Sequence, residues 1–320
     1  MTEILIKKKN IVMDATLLSS FQGCERYCDL RFNHCFESQN GKSNSLECGS
    51  IAHKILEEFY LHRREGTPRA QALGYAFTAG ELYITGCQYC TDFIPTEQVP
   101  KPRCGHQPDE YPGVQNTPPD NEKKPKRTGW KWVLETMDQY FKFYPNETWE
   151  PLVVEEVEGK MLYEDDEIRV YWKAKFDLIA RTNGPNVLPV DHKTMSQDRS
   201  GTKMHNQFMG QCFIAGVNAM CVNKIGWQLS KPPEEKFKRV MHNYTTDGLL
   251  EWQSEIVPYW AYRMLTANES GYYPPRFTQC ENKYGTCEFY EHVCGVDRNM
   301  RETGLRTHFR VGRPWDPANA

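Results

Sequence analysis

The chain has 320 residues, 39 basic against 42 acidic, and a formal net charge of −3. That balance excludes a bulk basic field, so any contact with nucleic acid must come from local patches. No apolar run approaches the ~20 residues of a membrane span, and the first ten residues lack the long apolar core of a signal peptide. A chain of this length can form one large domain or two small ones.

In chain order, residues 14–34 read as a helix with Asp14 as N-cap and Leu17, Leu18, Phe21, Tyr27 and Leu30 as its apolar stripe. Within it Cys24 and Cys28 lie four apart, hence on one face. A second helix runs over about 50–64, buried through Ile51, Ile55 and Phe59, with His53 and Glu57 on another face. A third covers about 70–90 and ends at Cys87-Gln-Tyr-Cys90. Between residues 95 and 125 lie eight of the chain's 20 prolines, which forbid a long helix or a central strand. This extended insertion holds Cys104, His106 and a basic run, Lys123 to Arg127, that reads as solvated. Residues 130–144 repeat Trp130, Val133, Leu134, Met137, Phe141 and Tyr144 at helical spacing, and Pro145 stops them.

A strand over 152–163 carries Glu155, Glu156 and Glu158. A hairpin follows, with arms 170–180 and 187–193 around the turn formers Arg181 to Asn186. If Gly184 centres the turn, Asp177 and Asp191 are cross-strand neighbours. Two carboxylates so placed repel, and a divalent cation between them removes that cost, Mg²⁺ and Mn²⁺ preferring oxygen ligands. The bland alternative is a pair of solvated acids. A helix over 203–220 carries Gln207 and Gln211, two further strands cover 224–229 and 237–244, and a long helix covers 249–267 with a kink at Pro258. The order predicts an α/β fold, a sheet flanked by helices.

These pieces resemble the PD-(D/E)XK nuclease superfamily, whose core has an acid on one strand and acid-x-lysine on the next, here Asp177 and Asp191-His-Lys193. Gly49-Ser-Ile-Ala-His53-Lys-Ile-Leu-Glu57 is similar to the Gly-x-x-x-His-x-x-Leu-Glu helix of the RecB-like branch. Phe176-Asp177-Leu-Ile looks like its Gly-x-Ile-Asp strand, with Ala174 where glycine is usual. Asn206-Gln207-Phe-Met-Gly-Gln211 looks like its Gln-x-x-x-Tyr helix, with Gln211 in the tyrosine place. Members with an iron–sulfur cluster, among them CRISPR-associated exonucleases and phage nucleases, carry one cysteine before the core and three after it. Cys24, Cys280, Cys287 and Cys294 resemble that set.

The resemblance implies a PD-(D/E)XK core with a mixed central sheet and a C-terminal iron–sulfur region. It divides the chain into N-terminal helices (1–65), a helical and Pro-rich insertion (66–149), the nuclease core (150–270) and the cysteine region with its tail (271–320). It implies Mn²⁺ or Mg²⁺ on His53, Asp177, Asp191 and the main-chain carbonyl of His192, aided by an acid of 155–158 through a water. Lys193 would orient water and stabilise charge, and Gln207 would position the lysine or the DNA. A [4Fe–4S] cluster would sit on the four cysteines as a structural tie. The implied protein cleaves DNA, as an exonuclease of bacterial or phage-infected cytoplasm. The rival reading is a DNA-binding or scaffolding protein on the same fold.

Twelve cysteines without an export signal point to metal or cluster ligation. The opposing reading, a secreted disulfide protein, draws on the sequon-like triplets at Asn146 and Asn268. Cys87, Cys90, Cys104 and His106 have zinc-ligand chemistry of their own. Cys28, Cys35, Cys48, Cys212 and Cys221 read as packing residues.

Overall fold

The computed structural model describes residues 8–39, 44–85, 131–182, 186–195, 205–228, 230–282 and 285–316. Cys87, Cys90, Cys104, His106 and the basic run 123–127 lie outside them. Strand β1 (Lys9–Met13) leads into α1 (Ala15–Gly23), whose N-cap Asp14 accepts from the Leu17 N–H at 2.7 Å. The helix expected over 14–34 breaks at Cys24, which is extended (φ −159°) after the weak helix former Gly23. It resumes as α2 (Glu25–Cys28) and a π-helical turn, Asp29–Asn33. Cys24 therefore caps α2 and is not part of a continuous helix face.

Strand β2 (Phe36–Ser38) precedes α3 (Asn44–Arg64) and α4 (Arg69–Thr85), and α5 (Lys131–Phe143) follows. Then come β3 (Glu150–Glu164), β4 (Ile168–Arg181), β5 (Val187–Met195), α6 (Asn206–Ala215), β6 (Ala219–Gly226), α7 (Pro233–Lys236) and β7 (Phe237–Asn243). The long helix expected over 249–267 is two pieces, α8 (Thr246–Glu251) and α9 (Val257–Ser270), joined by a π-helical turn. Pro258 falls in the first turn of α9, where a missing N–H costs nothing. The tail holds β8 (Glu281–Asn282), β9 (Gly285–Thr286), α10 (Arg301–His308) and β10 (Phe309–Val311).

The six-stranded sheet runs β1-β4-β5-β6-β7, with β3 on the other edge of β4. Pairs β1/β4 and β5/β6 are parallel and the rest antiparallel, so the sheet is mixed. One face packs Val170, Trp172 and Phe176 against Leu18 and Phe21 of α1, Phe208 of α6 and Ala261 of α9. The other packs Leu178, Val190 and Phe237 against Ile51, Ile55 and Phe59 of α3 and Met137 of α5. The fold is α/β with helices on both faces. Among the described residues, no helix is long and apolar enough to cross a membrane.

One feature of the sheet places the site. Strands β1 and β5 share an edge of β4, but β1 pairs Ile168–Trp172 and β5 pairs Leu178–Arg181. The stretch 173–177 between them has no strand partner on that edge among the described residues. Helix α6 fills the opening. Gln211 Nε2 donates to the Lys175 carbonyl at 3.0 Å, and Gly210 lies against Trp172 so closely that a Cβ would stand 2.1 Å from the indole nitrogen. Beyond Val190, β5 leaves β4 and follows β6.

Candidate metal centre

Asp177 and Asp191 stand where the two strands part. The β4/β5 register is the one a turn centred on Gly184 requires, with Leu178 opposite Val190 as its last pair. At the next step the ladder bond is replaced. The His192 N–H donates to Asp177 Oδ2 at 2.7 Å. Across the other edge, Val154 pairs Leu178 and Glu156 pairs Phe176, which sets Glu155 opposite Asp177. Glu155 has a left-handed backbone, φ 51°, which costs a non-glycine residue about 1–2 kcal/mol.

Helix α3 supplies the third group. His53 Nδ1 lies 3.7 Å from Glu155 Oε1 and 3.7 Å from Asp177 Oδ1. One ligand atom from each of the three falls within 4.8 Å of the others. His53 Nε2 is 2.9 Å from the His192 carbonyl oxygen. A proton on Nε2 donates to that carbonyl and leaves Nδ1 facing the acids, the arrangement by which an outer partner fixes a ligating tautomer. The carbonyl proposed from sequence as a ligand is thus bonded to His53. Burial opposes charge on His53, but Asp177, Glu155 and Asp191 outweigh it and push its pKa up to about 9. Burial raises Asp177 to about 6, against the pull of His53. Glu155 is held below its ordinary value, since bonds to His53 and Lys175 exceed its burial cost. Lys175 Nζ sits 3.1 Å from Glu155 Oε2.

Asp191 is fully buried and lies beside this trio. Its Oδ1 accepts from Gln207 Nε2 at 2.6 Å and from Lys193 Nζ at 3.1 Å, and Gln207 Oε1 accepts from the same ammonium at 3.2 Å. Burial disfavours charge on Lys193, yet Asp191 and Asp177 hold its pKa above the ordinary lysine value. Gln207 is placed by the start of α6, where its N–H donates to the N-cap His205 at 3.2 Å.

Behind the site lies a buried polar network that no motif announces. The His192 ring is buried, stacks parallel to Tyr60 at 5.8 Å, and has Asn223 Nδ2 2.9 Å from its Nδ1. Asn223 also bonds Tyr140, which accepts from Arg239, and Arg239 pairs with Glu147. Burial keeps His192 neutral, far below the ordinary histidine value. Asn223, fully buried within the mostly apolar strand β6, is the residue whose polarity marks this network.

The nine described cysteines are free thiols. Burial and then Cys24 raise Cys280, burial and then Cys280 and Cys24 raise Cys287, and burial and then Cys287, Cys24 and Cys280 raise Cys294 to about 11 against the pull of Arg26. The Cys287 N–H donates to the Cys280 carbonyl at 2.7 Å, and the Arg276 N–H to Cys24 Sγ at 3.3 Å.

No family model and no curated protein matches the sequence. Among solved structures, the crystal structure of SSO0001 is similar at 12% identity, with a TM-score of 0.28. That match covers 46% of this chain and 63% of the other, so the chain spans less than two thirds of that structure's length.

Proposed function

We propose that this protein is a metal-dependent DNA nuclease on a PD-(D/E)XK core, with a structural [4Fe–4S] cluster. One observation carries the first part. His53, Glu155 and Asp177 converge within 4.8 Å beside a buried Asp191 whose carboxylate is shared by Lys193 and Gln207. The donor set of one imidazole nitrogen and several carboxylate oxygens fits Mn²⁺ or Mg²⁺. Asp191 Oδ2, buried and 3.0 Å from Lys193 Nζ, would be a further ligand atom. A divalent ion bound there would lower the pKa of its water and neutralise charge on a phosphate. The protein's own groups do the rest. His53 offers Nδ1 because Nε2 is tied to the His192 carbonyl. Lys193, held charged by two aspartates, orients the attacking water and meets the charge that develops on the phosphate. Gln207 keeps the ammonium and Asp191 in register.

The test is degradation of end-labelled single- and double-stranded DNA with Mn²⁺, Mg²⁺ or chelator. Wild type should degrade DNA only with metal, and Asp191→Asn should abolish cleavage while still binding DNA, since phosphate contacts come mostly from Lys and Arg. DNA binding by wild type without cleavage under any metal would leave a binding protein and refute the enzyme.

Cys24, Cys280, Cys287 and Cys294 would hold the cluster, since four thiolates hold [4Fe–4S], and the Cys287 N–H bond to the Cys280 carbonyl and the Arg276 N–H bond to Cys24 Sγ support the reading by tying these segments together. Anaerobically purified protein should then be brown, and stoichiometric zinc in colourless protein would overturn it.

A further inference from the structure

The acid site adjoins a half-exposed stretch of sheet. From Ile168 to Phe176 the residues of β4 alternate without exception. Ile168, Val170, Trp172, Ala174 and Phe176 are buried, while Arg169, Tyr171, Lys173 and Lys175 take the other side. That side ends at Asp177. Successive members of the row are about 6.8 Å apart, two strand residues, close to the phosphate step of an extended nucleic-acid strand.

Three observations give the row a character. Tyr171 pairs with Val12 of β1 on one edge and Met161 of β3 on the other, and all three are exposed, at 37%, 48% and 46%. They form an apolar step with an aromatic ring at its centre. Lys173 lies next along, its stem over Gly159, with no carboxylate partner among the described residues. At the far end Arg169 and Lys8 share one acid, Glu164, beside the turn that holds Asp165, Asp166 and Glu167.

We propose, resting on the nuclease reading above, that this face carries a single nucleic-acid strand to the acids. Lys173 and Arg169 meet its phosphates, and Tyr171 stacks under a base between Val12 and Met161. The chemistry selects a single strand, because aromatic platforms stack unpaired bases and a duplex hides its base faces. A second copy of the chain fits less well. Three exposed apolar side chains fall far short of the ~1,200 Å² of a stable interface. Lys173, with no carboxylate partner among the described residues, also matches phosphate.

The experiment uses the full chain in chelator, so that binding is read without cleavage. Fluorescein-labelled oligothymidylate is titrated with wild type, Tyr171→Ala, Tyr171→Trp and Lys173→Glu. Tyr171→Ala and Lys173→Glu should each weaken binding about 10-fold, the size of one stacking contact, and Tyr171→Trp should restore it. The salt dependence should flatten only in Lys173→Glu. Mn²⁺-dependent hydrolysis of bis(p-nitrophenyl) phosphate, which needs the acids alone, should be unchanged in all variants and shows that each is folded. Binding by Tyr171→Ala and Lys173→Glu equal to wild type would overturn the inference while leaving the nuclease reading intact. So would a Tyr171→Ala that merely dissolves a dimer in sedimentation. A wild type that hydrolyses neither DNA nor the small diester refutes the nuclease reading itself.

Discussion

Glu155 and His53 show what single residues decide here. Sequence alone offers Glu155, Glu156 and Glu158 on equal terms, because strand alternation separates them only into faces. The selection is made by a left-handed backbone at Glu155 and by a histidine from α3, about a hundred residues earlier in the chain. Asp177, Asp191 and Lys193 were legible because their spacing is local to one hairpin. The strain at Glu155 gives a clean comparison. Glu155→Gly and Glu155→Ala both lose the carboxylate, but only glycine accepts φ 51° freely. In chelator, urea unfolding should find the glycine variant more stable by about 1 kcal/mol, while neither variant retains wild-type Mn²⁺ affinity. His53 gives a pH dependence. Its folded value of about 9 lies above the unfolded ~6.5. In metal-free protein its stabilisation is complete below ~6.5 and is lost as pH rises through about 9. The same proton must leave before Mn²⁺ binds, so apparent Mn²⁺ affinity should rise over that window. Urea midpoints from pH 6 to 9.5 should decline in wild type relative to His53→Gln. Parallel curves for the two proteins would place the proton elsewhere.

At the scale of elements, the hairpin register was readable from its turn, since Gly184 at the centre fixes which residues face each other. The opening beside 173–177 was not. It exists because β1 joins the same edge of β4, and Lys-Asn-Ile-Val-Met is too short a run to announce a strand. Helix α6 answers that opening with two glutamines one turn apart that have different duties. Gln211 caps a backbone carbonyl in the gap, while Gln207 holds Asp191 and Lys193. Their replacement should separate stability from activity. Gln211→Leu leaves the Lys175 carbonyl without its donor in a buried place. The cost should be about 1 kcal/mol, the low end for such a loss, because the variant also removes the unpartnered Gln211 Oε1. Gln207→Leu removes a donor from the buried Asp191 carboxylate and should cost about 1.5–3 kcal/mol, but it alone should also lower kcat, by about 10²-fold, as for a lost positioning donor. Thermal melts beside single-turnover cleavage check both. A Gln207→Leu enzyme with unchanged kcat would remove the clamp from the mechanism.

For the whole molecule, the sheet separates two apolar cores, and parts of the segments at the two chain ends belong to neither. Those segments make a third, smaller core of Leu30, Phe289, Val293 and Phe309, with Cys287 and Cys294 packed against it. They are also joined by polar bonds. Arg26 donates to the Tyr273 carbonyl, Arg263 pairs with Glu25, and β2 pairs β10 antiparallel. Sequence pattern could suggest the cysteines but not this third core, since its members lie some 260 residues apart. A core of four buried side chains is small, and each contributes only about 1.5–3 kcal/mol, against an ordering cost of about 1–2 kcal/mol per backbone residue. On the proposed reading, a cluster on the four thiols would add a further tie to this junction. Cys287→Ser removes one thiolate and about one sulfur of packing. If packing alone joined the ends, the variant should lose about 1 kcal/mol and stay resistant to protease. If the cluster joins them, iron and sulfide content should fall together, and limited proteolysis should cut the 271–320 segment while the sheet core survives. Leu30→Ala is the control. It weakens the same core by packing loss and should leave iron content at the wild-type ratio. Equal iron content in Cys287→Ser and wild type would show that Cys287 is no ligand, and the tie would have to be sought in side-chain packing.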